Sequence, residues 1–409
     1  MTRVEPARHR NTAFVIRESS DQYARTIESH LMQVTIKGRR GKRVLLPDDR
    51  EVVEFVNCSY LGLDLHPEVI AASKSVDESW GMNFCCARSR FSIEPQRLLE
   101  EELSELYRGR AITFPSTTAA HISVMPLLAS GALVDQTRPR KVCLIFDQFA
   151  HSSMHYLKPV LGAEATIDSI PHNSLADLHS QVLRARERGE VAVYIADGIY
   201  SMGGLCPVPE LMAMAEELDF YLYIDDAHGT GIYGERGEGV VLSQLPGAVP
   251  ERLILTFALS KGFGAYGGGV LVPDRWREQL IRSYGQIYAF SAAMTFQSVH
   301  ACRAVVALHH DGTVRRLQET LRERVALYDE LMGQPLPFSP IRMFPIGDER
   351  AAIAAGEHLL RRGYFASVVF FPIVRRGAAQ LRACIAANHS PDDIRGLVEA
   401  LHEARAAVG

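Results

Sequence analysis

No apolar run in this sequence approaches the ~20 residues that a membrane helix needs, so a membrane-spanning helix is excluded. Paired cysteine spacing is absent too. The seven cysteines, Cys58, Cys85, Cys86, Cys143, Cys206, Cys302 and Cys384, are odd in number and scattered. That excludes a disulfide framework, and they read as small buried apolar residues in a reducing compartment. The N-terminus has early charges and lacks an apolar h-region, so no signal peptide is expected and the protein reads as cytoplasmic. A basic tail is also missing. Lys and Arg number 44 against 48 Asp and Glu, for a net charge of −4. This argues against nucleic acid as the main partner, because neutralising phosphates takes clustered cations. The one basic cluster, Lys37, Arg39, Arg40, Lys42 and Arg43, reads as a solvated loop.

What the sequence does contain is ample material for a core. Its 409 residues suit a large domain plus a smaller one, and 47% apolar with 22% charged residues is an ordinary globular balance. The stretch from Asp21 to Val34 predicts an amphipathic helix, with Tyr23, Ile27, Leu31 and Val34 at helical spacing. Four short apolar runs, at 142–146, 191–196, 221–224 and 253–257, predict buried strands. Pro95 opens a helical segment with Leu99, Leu103 and Leu106 on one face and Glu100, Glu101, Glu102 and Glu105 nearby. Pro209 opens another, with Leu211, Ala215 and Leu218 inward. Alternation of this kind predicts an α/β protein with a mostly parallel sheet covered by helices. A smaller α+β domain follows, with strands expected at 365–371 and 381–386 and a last helix at 391–407. The expected division is an N-terminal arm and helix over 1–50, a large domain over 51–295 and a small domain over 296–409.

Ligands of open α/β sheets bind at the carboxyl ends of the strands. The first predicted strand leads to Asp147 and His151, and the second to Asp197 and Ser201. The third leads to Asp225-Asp226-Ala227-His228 and the fourth to Ser260-Lys261. Any one of these alone is as readily structural. Acid, imidazole, hydroxyl and amine converging on one edge point to an active site. A pyridoxal cofactor needs such a set. Its aldehyde needs an amine, here Lys261, for a Schiff base and for proton transfer at the substrate Cα. Its ring nitrogen needs a carboxylate, here Asp225, to stay protonated. Its phosphate needs N–H donors at a helix N-terminus and some hydroxyls.

Three patterns invite other readings. Gly262, Gly264 and Gly267 spell G-x-G-x-x-G, but Gly268-Gly269 run into Val270-Leu271-Val272, a strand where a dinucleotide fingerprint needs a helix. The glycines instead let backbone pass close to the Lys261 loop. His151 and His155 lack the glutamate and third ligand of a zinc site, so no metal is expected. His309-His310-Asp311 reads as a solvated helix end.

The segments Asp225-Asp226-Ala227-His228-Gly229-Thr230-Gly231 and Leu259-Ser260-Lys261-Gly262-Phe263-Gly264 resemble the signatures of the α-oxoamine synthases, a family of fold-type I pyridoxal-phosphate enzymes. The resemblance runs from Asn57-Cys58-Ser59-Tyr60-Leu61-Gly62-Leu63 onward. Within the family, Phe149-Ala150-His151, Ile199-Tyr200-Ser201, Gly347-Asp348-Glu349-Arg350, Phe365-Ala366-Ser367-Val368 and Gln380-Leu381-Arg382 are similar to segments of autoinducer synthases. The resemblance implies an acyltransferase dependent on pyridoxal 5'-phosphate. Such an enzyme condenses an α-amino acid with an acyl thioester, on coenzyme A or an acyl carrier protein, to an α-amino ketone. It implies Lys261 as the lysine bonded to the cofactor, Asp225 at the ring nitrogen, and His151 stacked on the ring, where it would also polarise the thioester carbonyl. His228 and Ser201 would lie near the ring hydroxyl. Arg382 would be the fork that holds the α-carboxylate. A homodimer is implied, with the 288–293 segment crossing to the partner.

The chain departs from the family in the phosphate cup. Ser116-Thr117-Thr118 replaces Ser-Gly-aromatic, Ala258 stands where a hydroxyl is usual, and the crossing loop reads Ser291-Ala292-Ala293. Thr117, Thr118 and Ser260 are the substitute hydroxyls. A Gly and His that usually precede the helix of Leu99 and Leu103 are missing, which leaves the acyl donor open. Two other readings stay open: an aminotransferase on the same fold, and a pseudoenzyme partner subunit.

Overall fold

The computed structural model describes residues 12–408; the start of the expected N-terminal arm, residues 1–11, lies outside them. Contacts divide the chain into two compact units, one of residues 61–318 and one of residues up to 60 together with 319 onward. The expected arm and the segment 51–60 therefore belong with the C-terminal residues, and the helix Phe296–His310 belongs with the larger unit.

The larger unit is built on a seven-stranded sheet, in the order 110–114, 268–272, 253–258, 221–225, 191–197, 142–147, 166–170. The strand Gly268–Val272 runs antiparallel to both of its neighbours, and the remaining pairs are parallel. The mostly parallel sheet expected from the sequence is thus present. Its central strands are continuous apolar runs because both faces are covered. Val142, Leu144, Phe146, Val193, Ile195, Tyr223, Ile254 and Val270 join one core with Val124 and Leu128 of the helix Thr117–Ala129. Burying one large apolar side chain of this kind stabilises by roughly 1.5–3 kcal/mol. The helix Glu94–Tyr107 buries Leu99, Leu103 and Leu106 at the predicted spacing. It also buries Glu100, which pairs with Arg88 at 2.7 Å and Arg282 at 2.8 Å. Parallel connection puts Asp147, Asp197, Asp225 and Ala258 at one edge of the sheet, and this edge carries the chemistry.

The smaller unit holds two sheets, ordered 38–40, 43–45, 51–54, 364–365 and 341–347, 379–384, 367–369. The expected strand at 365–371 is in fact two. Phe365 pairs with Glu54 in one sheet and Ser367 pairs with Arg382 in the other, so the chain changes sheets at Ala366. The first helix spans Thr12–Glu28 and ends before Leu31 and Val34, which were expected inside it. The basic cluster is not wholly solvated. Lys42 is buried and pairs with buried Glu54 at 3.1 Å, because the hairpin turns that side chain inward. In the larger unit His309 likewise departs from the expected solvated end, stacking on Phe263 at 5.4 Å with its ring buried. Among the described residues no helix is long and apolar enough to cross a membrane.

His389 makes a specific prediction about stability. Its Nδ1 accepts from the Ala386 N–H at 2.9 Å, its Nε2 donates to the Glu54 carbonyl at 3.0 Å, and its ring stacks on Phe55. The accepting nitrogen cannot hold a proton without losing that bond. Burial, followed by the Lys42 charge, pushes the imidazole down to about 3. A lowered folded value means that the unfolded chain takes the proton first. The contribution is complete above the ordinary imidazole value and is lost as pH falls toward the folded one. A His389→Gln variant should therefore lose about 2 kcal/mol less stability than the parent between pH of about 7 and 5. Urea unfolding of both proteins at the two pH values measures this, and equal losses would contradict it.

Candidate active site

Asp225 ends the strand Tyr221–Asp225 and is buried. Its Oδ2 lies 3.1 Å from His121 Nε2, and its Oδ1 accepts from the Ala227 N–H at 3.0 Å. His121 in turn sits 2.8 Å from the Tyr223 hydroxyl through Nδ1. Burial alone would push the Asp225 carboxyl up. The hydrogen bond from His121, and then the charges of His121, Lys261 and His151, overcome it and hold the carboxyl well below its usual range. Asp225 is a buried anion held in place before any ligand arrives.

Lys261 follows the strand Leu253–Ala258, and its Nζ lies 3.0 Å from His228 Nε2. Two glycines let backbone pass closely around this loop. A side chain at Gly264, which has φ of 77°, would come within 2.9 Å of the Asp64 amide nitrogen. One at Gly268 would come within 2.5 Å of the Thr117 amide nitrogen. Gly264 of the G-x-G-x-x-G run thus serves close backbone approach, and Gly268, where the strand begins just beyond the run, does the same.

His151 caps the short helix Ser152–His155, with Nδ1 at 2.7 Å from the Ser153 hydroxyl. Its backbone N–H donates to Asp197 Oδ1 at 2.9 Å. Burial lowers the imidazole from its ordinary value, although the Asp225 charge pulls the other way. Burial and the neighbouring Asp225 raise Asp197 well above the carboxylate range. Asp197 therefore positions His151 and leaves Asp225 as the anion of the pair. Asp147 works elsewhere on the edge, accepting from the Phe149 N–H at 2.7 Å, the Asn173 N–H at 2.8 Å and the Tyr194 hydroxyl at 2.9 Å. It shapes the loop that carries His151.

The expected phosphate hydroxyls are more dispersed. Ser116 caps the helix Thr117–Ala129, accepting from the Ala119 N–H at 3.1 Å. Thr117 donates to the Phe257 carbonyl at 3.2 Å, while Thr118 is exposed on the first turn. Ser260 is exposed beside Lys261. Ser201 is partly buried in the turn after Tyr200. Ser291 follows the helix Gln286–Phe290 and is partly buried. Arg382 belongs to the smaller unit, in the strand Ala379–Cys384. Burial there opposes its charge, but Cys384, Tyr60 and Cys58 offset the cost and its pKa is raised.

His121 is the residue that sequence reasoning missed. Its only signal is an imidazole one turn beyond the Ser116 cap, on the same face of an otherwise apolar helix as Val124 and Leu128. The donor set fits pyridoxal phosphate. A held anion, an amine against an imidazole and a capped helix N-terminus at Ser116 supply its three requirements.

Comparisons with known proteins agree with that chemistry. The pattern of the aminotransferase class I and II family matches residues 96–401. A putative 8-amino-7-oxononanoate synthase of Desulforudis audaxviator is 30% identical over 394 residues, covering 92% of this chain and 98% of that one. The 8-amino-7-oxononanoate synthase of Maricaulis maris is 31% identical over 366 residues, covering 88% of each chain. Among solved structures, serine palmitoyltransferase from S. paucimobilis superposes with a TM-score of 0.84 at 21% identity, covering 98% of this chain and 100% of that one. At that identity the likeness shows the fold.

Proposed function

The chain belongs to the aminotransferase class I and II family, in its α-oxoamine synthase group, and from that premise we propose that it joins an α-amino acid to an acyl thioester, giving a free thiol and an α-amino ketone whose carboxylate is either kept or released as carbon dioxide. The observation that carries this reading is the held Asp225 anion on the sheet edge that also bears the Lys261 amine, in a chain whose relatives of matching length are acyl-transferring synthases. The cofactor is pyridoxal phosphate. Bound, it supplies an electron sink that makes the α-carbon of an amino acid acidic.

The protein's own groups do the rest. Lys261 is the residue that would hold the cofactor through Nζ, and its amine would move the proton at the substrate α-carbon. His228 Nε2, 3.0 Å away, orients that amine and accepts one of its hydrogens. Asp225 stays anionic under its His121 hydrogen bond, and would keep a proton on the ring nitrogen of the bound cofactor. His151, whose imidazole burial makes harder to charge and whose backbone N–H Asp197 holds, would polarise the thioester carbonyl. Arg382 takes the α-carboxylate. Ser201 would bond near the ring hydroxyl, and Ser116, Thr117, Thr118 and Ser260 would hold the phosphate. The acyl donor is carried on coenzyme A or on an acyl carrier protein. The free thiols of all seven cysteines suit a cytoplasmic enzyme.

The enzyme works as a homodimer, with Ser291 reaching the partner's cofactor. Phe290, next to it, is 76% exposed in the single chain, an apolar ring that a partner would cover. Sedimentation should show a dimer, and Phe290→Asp should shift it toward monomer with loss of activity. A parent protein that is an active monomer would contradict the assembly. The catalytic reading is tested by thiol release: purified protein loaded with pyridoxal phosphate should free thiol from an acyl-CoA only when a suitable amino acid is present. No release across a panel of amino acids and acyl-CoA or acyl-carrier donors would overturn it.

A further inference from the structure

The smaller unit holds a thiol pair that the chemistry above does not use. Cys58 Sγ lies 3.9 Å from Cys384 Sγ, although the two residues are 326 apart in the sequence. Backbone bonds tie their segments together on both sides. The Cys384 N–H donates to the Phe55 carbonyl at 2.7 Å, and the Ala387 N–H donates to the Tyr60 carbonyl at 2.7 Å. The pair is therefore held close by the sheet and does not meet by chance. A disulfide needs its sulfurs at about 2.05 Å, so closing this pair means drawing them together from 3.9 Å.

The surroundings give the two thiols different parts. Cys58 is partly exposed, its Sγ donates to the Val56 carbonyl at 4.0 Å, and the Arg382 guanidinium and the Tyr60 hydroxyl are among the groups that interact with it. The thiolate is the reactive form of a cysteine, and an oxidant from solvent reaches the more exposed of two thiols first. Cys384 is fully buried, and the Cys58 hydrogen bond and burial push its thiol up. Cys58 is thus the thiol an oxidant meets, and Cys384 is the thiol that resolves it.

We propose that Cys58 and Cys384 form a peroxide-sensitive switch, whose closure into a disulfide takes the thiol partner from Arg382 and disables amino-acid capture. The second half rests on the reading of Arg382 as the carboxylate fork. In the first step the Cys58 thiolate attacks one oxygen of hydrogen peroxide. The O–O bond breaks, Cys58 becomes a sulfenic acid, and hydroxide leaves and is protonated to water. In the second step the Cys384 sulfur attacks the Cys58 sulfur. The S–O bond breaks, and the hydroxyl leaves as water with the Cys384 proton. Two thiols are oxidised to one disulfide, and one peroxide is reduced to two waters. With Cys58 tied to Cys384, the guanidinium loses that thiol as an interaction partner.

The test uses the full protein loaded with pyridoxal phosphate and treated with hydrogen peroxide. Trypsin places Cys58 alone in the peptide of residues 51–74 and Cys384 alone in that of residues 383–395. A cross-linked pair of these two peptides, lighter by the two thiol hydrogens and split by dithiothreitol, is the expected product. Amino-acid binding, followed by the change in the cofactor spectrum, should weaken by about tenfold or more on oxidation and recover on reduction. Cys58→Ser and Cys384→Ala, each compared with its own untreated sample, should not show the cross-link, and Cys58→Ser should also lack the reversible loss. Absence of that peptide pair, or a reversible loss in Cys58→Ser equal to the parent's, would overturn the switch. The Arg382→Ala variant separates the two readings. If it binds amino acid as the parent does, the fork reading falls while the disulfide still forms. If it binds weakly but the oxidised parent does not, the switch falls and the fork stands.

Discussion

Lys261→Ala should remove the visible absorbance of the loaded protein and lower condensation activity by about a thousandfold or more. The loss of a bonded amine and the loss of the proton-transferring base fall on the same atom. Lys261 Nζ is placed against His228, and its charge acts on Asp225. The variant should still take up pyridoxal phosphate, because Asp225 and the helix capped by Ser116 are untouched. It should hold the cofactor reversibly, so that gel filtration strips it. Spectra of parent and variant before and after filtration make the comparison. A variant that keeps its visible band after filtration would show that another residue bonds the cofactor.

The second large effect is expected at Arg382. With Arg382→Ala the cofactor spectrum should be unchanged, since the loss falls on the amino acid's carboxylate and not on the cofactor. Binding of the amino acid should weaken by roughly 2–5 kcal/mol, the range for truncating one partner of a buried charged pair. Lysine at this position should rescue only in part, because an ammonium lacks the planar fork. The clearest readout is the preference for an amino acid over its decarboxylated amine. The parent should prefer the amino acid strongly and the alanine variant should lose most of that preference. If the variant discriminates as well as the parent, another group holds the carboxylate.

The parts of this protein that can be read from its residues are those where one local rule decides. The strands ending at Asp147, Asp197 and Asp225 are apolar runs buried on both faces, and such runs have few alternatives. Lys261 and His228 were legible because each follows a strand end. What escaped depends on contacts between distant segments. His121 is a single imidazole in an apolar helix until the fold sets it against Asp225, 104 residues away. Lys42 belongs to a basic run until Glu54 draws it inward. His309 sits at a helix end that the Phe263 ring covers. The first helix stops at Glu28 although the apolar spacing continues to Val34. Leu31 is buried beyond its end, so spacing marked the buried residues without marking the helix. The pairing of Cys58 with Cys384 had no sequence signal at all, since neither spacing nor motif links them.

The central claim is that the amino group of the substrate ends in the ketone product and is not left on the cofactor. An amino acid carrying a nitrogen label tests it most directly. The loaded protein is mixed with the labelled amino acid and an acyl thioester, and the products are analysed by mass spectrometry. Acyl transfer predicts an α-amino ketone that retains the label, formed in equal amount with free thiol, and a cofactor that ends as pyridoxal phosphate. Label transferred to the cofactor as pyridoxamine phosphate, with the amino acid alone leaving as its keto acid, would contradict acyl transfer and assign the chain to aminotransfer instead.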